Sequence, residues 1–183
     1  MTKILSIVAS CVAAILAQPT LALAQNSMGW QHYEETNASV ELLYPAAVFK
    51  PDPSKTSPAG RVFVTQDGSA RLLIGALQNT DKHSPQSYQK FISEESFKGA
   101  NFDYAPVGNS WAVLSGTRDG TMFYQKAFFN CGGRIISTFA LTYPIAERTF
   151  YDPIVERIED SFRPSTRCDS FAAQERSEEE LQR

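Results

Sequence analysis

Two stretches of this chain, Thr121 to Asn130 and Arg134 to Tyr143, are apolar on both of their alternating faces, and nothing else in the sequence restricts the fold as much. In the second stretch Ile135, Phe139 and Leu141 share one side, while Ile136, Ala140 and the methyls of Thr138 and Thr142 share the other. In the first, Phe123, Ala127 and Phe129 oppose Met122, Tyr124 and Phe128. Leu72 and Ile74 likewise oppose Leu73 and Leu77. Short runs rich in β-branched and aromatic residues with period two read as strands. An antiparallel sheet wet on one side alternates apolar with polar residues. These strands do not, so something is expected to cover each side of the sheet.

Turn chemistry sets the connections. Asp67-Gly68 and Asp119-Gly120 each lie between apolar runs, and such pairs suit tight hairpins that need positive φ at both central residues. Further strands are expected over 39–44, ended by Pro45, and over 61–66, 69–77 and 110–117, with a short one near 102–105. Residues 50–60 hold three prolines without periodicity and read as a loop. Residues 25–37 are polar, and Trp30 and Tyr33 are their only large anchors. Ser84-Pro85 reads as a helix cap and first helical position, followed by a short stripe of Tyr88, Phe91 and Ile92. A second helix is expected to open at Asp152-Pro153, with Tyr151, Ile154, Val155, Ile158 and Phe162 on one face. Hairpin-linked strands with two amphipathic helices define an α+β domain, an α/β/α sandwich around a mainly antiparallel sheet.

The strand ending in Tyr44-Pro45, the later order of hairpins and helix, and the closing Tyr151-Asp152, Ile154-Val155, Ile158 and Ser161-Phe162 resemble PsbP/Mog1-like domains. The segments Gly60-Arg61-Val62-Phe63 and Asp67-Gly68-Ser69-Ala70-Arg71-Leu72 resemble exported proteins of alphaproteobacterial type. The likeness spans roughly residues 30–164 and rests on turn and core positions. It implies the fold and, from known members, an accessory or adaptor role. It carries no functional residue across.

Residues 1–24 read as a secretory leader: Lys3, then the apolar run Ile4 to Leu16, then Gln18-Pro19, with Ala22-Leu23-Ala24 as a small-x-small site cut between Ala24 and Gln25. A membrane anchor is the rival, but about 13 apolar residues fall short of the roughly 20 that span a bilayer. A lipoprotein box at Cys11 is a second rival, with too short a run before it. No membrane span is expected once the leader is gone, and the location is periplasmic or secreted. That leaves one domain over 25–168 and a charged tail over 169–183, in which Ser177 to Glu180 reads as a capping box. The mature chain keeps Cys131 and Cys168, an even count that favours a disulfide in an oxidising compartment.

The formal net charge is −3, too mild for steering acidic substrates and opposite in sign to the basic face of nucleic-acid binders. His32 and His83 both lie in polar segments without a nucleophile elbow. Scattered Asp52, Asp67, Asp81 and Asp119 suit turns better than a calcium loop, and no zinc or phosphate-binding spacing exists. No catalytic residue, metal or cofactor is therefore assigned, and the chain reads as a non-enzyme. Glu41 and Asp103 are the acids a hydrolase reading would use. Trp30, Tyr33 and Trp111, with Tyr124 and Tyr143, are the candidate binding aromatics, although strand aromatics chiefly fill cores. Asn37-Ala38-Ser39 matches a glycosylation sequon. The chain is expected to be a non-catalytic binding or accessory module of the cell envelope that uses a loop-rimmed sheet edge or the 50–60 loop, with an envelope protein or a small ligand as its partner.

Overall fold

The structure is a computed structural model that describes residues 28–35, 40–57, 60–164 and 168. The leader, the sequon and the tail's capping box lie outside the described residues. Along the chain run β1 (Trp30–Glu35), β2 (Val40–Pro45), β3 (Lys50–Ser57), β4 (Gly60–Val64), β5 (Arg71–Gln78), α1 (Pro85–Glu95), β6 (Asn101–Tyr104), β7 (Trp111–Arg118), β8 (Thr121–Asn130), β9 (Ile135–Pro144), α2 (Arg148–Ser161) and β10 (Arg163–Pro164). Seven strands form one sheet in the order β3-β4-β5-β9-β8-β7-β6, and β1-β2-β10 form a second, with antiparallel pairing throughout. The fold is α+β, as the strand and turn patterns indicate.

The two faces of the large sheet are covered differently. One face carries Phe63, Leu72, Ile74, Phe139, Leu141 and Tyr143, all at most 1% exposed. Onto it α2 packs Tyr151, Ile154, Val155 and Ile158, and β2 packs Val40 and Leu42. Burial of each such side chain favours folding by roughly 1.5–3 kcal/mol. On the other face α1 and Phe97 cover only Leu114, Phe123, Ala127, Phe129 and Ile136, on β7, β8 and β9. Over β3, β4 and β5 nothing among the described residues packs, and Leu73 and Leu77 stay 41% and 38% exposed. The expectation that both broad sides are shielded thus holds for one face and for half of the other.

Local departures have physical causes. Residues 50–57 are a strand, not a loop, because β3 is an edge: Pro51 and Pro53 cost nothing on an unpaired side, and the pairing register breaks between Pro51 and Thr56. Trp30 lies inside a strand, since all six residues of β1 pair with β2. The last helix begins at Arg148, ahead of Pro153, which sits inside it. Proline there removes one backbone hydrogen bond. The first turn is held by other means: Tyr151 stacks on Tyr143 at 4.8 Å, and Asp152 accepts hydrogen bonds from the Tyr143 hydroxyl at 2.7 Å and from Arg148 Nε at 3.0 Å. Asp119 and Gly120 both have positive φ, 51° and 76°. In the Asp67-Gly68 turn only Gly68 does, because the Asp67 carboxylate organises a wider loop, accepting from the Thr65 hydroxyl and from the Ser69 amide and hydroxyl.

Candidate functional site

The uncovered half-sheet has a defined relief. Register places Gly60, Gly75 and Thr138 side by side across β4, β5 and β9. This row projects little, and a Cβ added at Gly60 would meet the Ile74 carbonyl oxygen at 2.4 Å, so the backbones approach as only glycine allows. Val62, Leu73 and Ala140 form the next row on one side, and Leu77 stands beside Ile136 on the other. Between these rows lies a shallow cavity of about 220 Å³.

Toward the centre of the sheet the next covering element is α1, which packs over β7, β8 and β9. Its cap is built as the sequence indicates, with Ser84 accepting from the Ser87 amide at 3.2 Å and Pro85 opening the helix. The Gln89 amide donates to the Val113 carbonyl at 2.6 Å, which fixes that flank of the helix over β7. Phe91, about 200° further round the helix, turns to the opposite flank. It is 45% exposed and sits 5.2 Å from the His83 ring.

The charge around this surface is unlike that of the chain as a whole. Lys55 and Arg61 border the cavity and no carboxylate among the described residues does, but Arg61 pairs with Ile74, so its side chain belongs to the sealed face and Lys55 is the bordering cation of the open one. Arg71 lies on the same face, two residues before Leu73. Asp52 is the nearby acid, its carboxyl held below the usual range first by the Ser54 hydroxyl and further by Lys55 and Arg71.

A larger cavity, about 600 Å³, opens at the end of β5 and is lined by Asn79, Lys82, His83, Gly132, Gly133 and Arg134, with Cys168 at its rim. Asn79 knits its wall, donating to the carbonyls of His83 and Gly133, each at 2.8 Å, and accepting from the His83 amide at 2.8 Å. Cys131 and Cys168 sit at disulfide distance beside it, with Cα atoms 5.6 Å apart. That separation lies within the range disulfides span.

The aromatic residues singled out from sequence are not gathered into one groove. The Trp30 ring is covered by the Arg157 guanidinium at 4.5 Å, and its buried Nε1 has no hydrogen-bond partner among the described residues. Tyr33 packs edge-on against Phe63 at 5.5 Å. Trp111 lies 5.9 Å from Lys126, whose ammonium also pairs with Glu159 at 2.8 Å. Tyr124 is buried beside Glu159 without reaching hydrogen-bond geometry, and burial, then that carboxylate, push its phenol well above the ordinary range. Burial and the Asp152 carboxylate do the same for Tyr143.

His32 lies 3.5 Å from Glu41 on an exposed strand pair. Ser87, His83 and Asp81 form a chain, with His83 Nδ1 3.3 Å from the Ser87 hydroxyl and Nε2 3.8 Å from Asp81. The Ser87 hydroxyl is committed to the helix cap, accepting from the Ser84 amide at 2.9 Å and donating to the Ser84 carbonyl at 3.2 Å. An acid as open as Asp81, 76% exposed, does not orient an imidazole as a buried one does. Asp103 is exposed on β6. Among the described residues no group of three or more His, Cys, Asp or Glu is placed to hold a metal, and no helix is long and apolar enough to cross a membrane.

Of this surface the sequence singles out residues 50–60 as a candidate binding segment, read there as a loop, and leaves Leu73, Gly75 and Leu77 unassigned. Two signals pointed there: Gly75 inside an apolar strand, which marks close backbone approach, and prolines fit only for an edge.

The architecture is that of PsbP/Mog1-like domains, a mostly antiparallel sheet flanked by two helices. The solved structures that match it include cyanobacterial PsbP (CyanoP) from Synechocystis, with TM-score 0.54 and 15% identity over 74% of this chain and 92% of that one. The Ran-binding protein Mog1p of Saccharomyces cerevisiae matches with TM-score 0.56 and 8% identity, covering 75% of this chain and 96% of that one. A mutant of Mog1 matches with TM-score 0.57 and 7% identity, over 77% and 98%. At these identities the likeness establishes the fold alone. No family model and no curated protein sequence matches the chain.

Proposed function

We propose that this chain is an exported, non-catalytic binding or accessory module of the cell envelope, and that it binds a protein partner on the uncovered half of its sheet. The observation that carries this reading is the exposure of Leu73 and Leu77 beside a cavity, on strands whose opposite face is sealed. Clustered exposed apolar groups rimmed by charge mark interaction sites. Mog1p, which has the same fold, is a Ran-binding protein, so the fold can serve protein recognition. The leader at 1–24 and the cysteine pair both support export.

The test is a photo-cross-linking amino acid placed at position 77, with position 156 on the exposed side of α2 as the control, in cells that express the chain natively. A discrete protein adduct from 77 and none from 156 is the expected result. No adduct from 77 defeats the reading. So does turnover of generic ester, phosphate or glycoside substrates that Glu41→Gln or Asp103→Asn abolishes.

A small-molecule carrier is the second reading, favoured by the cavity of about 600 Å³, which falls within the size range of ligand pockets. Native mass spectrometry of the protein taken from its own cells would show a retained ligand, and an empty protein removes this reading.

A further inference from the structure

Three properties of the uncovered half-sheet narrow what can sit on it. The first is width. Strands lie about 4.8 Å apart, so β5, β4 and β3 present a floor roughly 10 Å across. An α-helix with its side chains is about 10–12 Å in diameter, and packed helices lie about 8–10 Å apart. The space beside α1 is therefore one helix wide. The second is the edge. A partner strand adding to β3 would meet Pro51 and Pro53, which offer no amide hydrogen, and a ladder that loses register between Pro51 and Thr56. The contact must come from side chains lying on the face. The third is charge. Lys55 and Arg71 stand beside the apolar floor, and among the described residues Asp52 is the acid next to them, on a chain whose formal net charge is −3. A second copy of the same face would bring like charges together, which costs binding energy.

We infer that the uncovered half-sheet is the seat of an acidic amphipathic helix from a partner protein, laid beside α1 so that it completes the layer α1 leaves half built. This rests on the binding-module reading above. One bulky apolar side chain of the helix enters the notch over Gly60, Gly75 and Thr138; at about 220 Å³ that notch is below the size of small-molecule pockets and suits a single anchor. Further anchors at helical spacing rest on Leu73, Leu77 and the exposed ring of Phe91. Carboxylates on the helix flank face Lys55 and Arg71.

The experiment is a fluorescence-anisotropy titration of the purified protein with two 18-residue model peptides. Both carry Leu at i, i+3, i+4 and i+7 spacing; one fills its remaining positions with Glu and Gln, the other with Lys and Gln. The acidic peptide is expected to bind saturably and at least about tenfold more tightly than the basic one. Leu73→Asp, an exposed position that folding tolerates, weakens the acidic peptide by about tenfold or more, and circular dichroism confirms the variant's fold. Lys55→Glu with Arg71→Glu weakens the acidic peptide and strengthens the basic one, and the contrast fades at high salt. Equal binding of the two peptides, binding of neither, or indifference to Leu73→Asp overturns the inference. An adduct from position 77 obtained despite such a result would leave the binding-module reading standing and remove only the acidic helix.

Discussion

Leu73 and Ile74 are consecutive residues of β5, similar in size and apolarity, yet one is 41% exposed and the other wholly buried. Ile74 points to the face sealed by α2 and the small sheet, and Leu73 to the face on which α1 stops short. A strand's alternation guarantees that neighbours meet different environments. What differs here is only the supply of covering elements. A seven-strand sheet is about 29 Å wide, and a single helix shields little more than a third of that. The sealed face has a helix and three short strands to cover it, and the other has one helix. Leu73 and Leu77 are as apolar as the residues behind them, so their exposure reflects where the covering elements stop, although the open half also carries Arg71, Gly60, Gly75 and Thr138 among its rows.

Substitutions graded across the two faces test this contrast. The largest effect is expected at the centre of the sealed face, where Phe139 contacts Tyr124 at 5.8 Å and Phe162 at 5.1 Å between ring centres. Phe139→Ala should cost about 3–5 kcal/mol in urea-unfolding experiments. Removing the link between Cys131 and Cys168 by a double serine substitution should cost roughly 3–4 kcal/mol in the chain-entropy account of a 37-residue loop. On the covered half of the other face Ile92 is 6% exposed, and Ile92→Ala should cost about 2–4 kcal/mol by the same measurement. On the uncovered half, Leu77→Ser should change stability by less than about 0.5 kcal/mol, and a larger loss would mean that this half is covered in solution.

The smallest effect is one of pH, at the hairpin beneath the open half. Hydrogen bonds from Thr65 and Ser69 lower the Asp67 carboxyl from 3.8 to about 2. A carboxylate stabilised in the folded state contributes above its unfolded pKa and loses that contribution as pH falls through the folded one. Asp67→Asn should therefore lower Tm slightly at neutral pH, and the gap should close between pH 3.8 and about 2. A gap that persists below that range would show that the aspartate acts through shape and not charge.

Much of the fold was legible because its signals are local. The two-sided apolar runs of β8 and β9, the Asp119-Gly120 turn and the Ser84-Pro85 cap each decide structure within a few residues. Legibility ended where a decision depends on distant neighbours. Whether Leu73 is covered is settled by the reach of α1, some dozen residues along, and no pattern within β5 records it. Trp30 falls outside the strands the sequence indicates because β1 is polar, and it is in a strand only because β2 supplies the pairing. Pro51 and Pro53 read as breakers, since sequence does not say which strand will be an edge. The candidate site was hardest to see: its marks are a missing helix and a missing side chain at Gly60, and both are absences.

The link between Cys131 and Cys168 also bears on how the molecule survives damage. It encloses β9, α2 and β10, which carry much of the sealed face, within one covalent ring. A protease that nicks the backbone anywhere inside this ring opens a loop but releases nothing, since both ends stay tied. The same cut in a reduced chain would let the closing helix leave. Survival after a single nick, visible as an intact mass without reductant and two fragments with it, would be a working advantage in a compartment rich in peptidases.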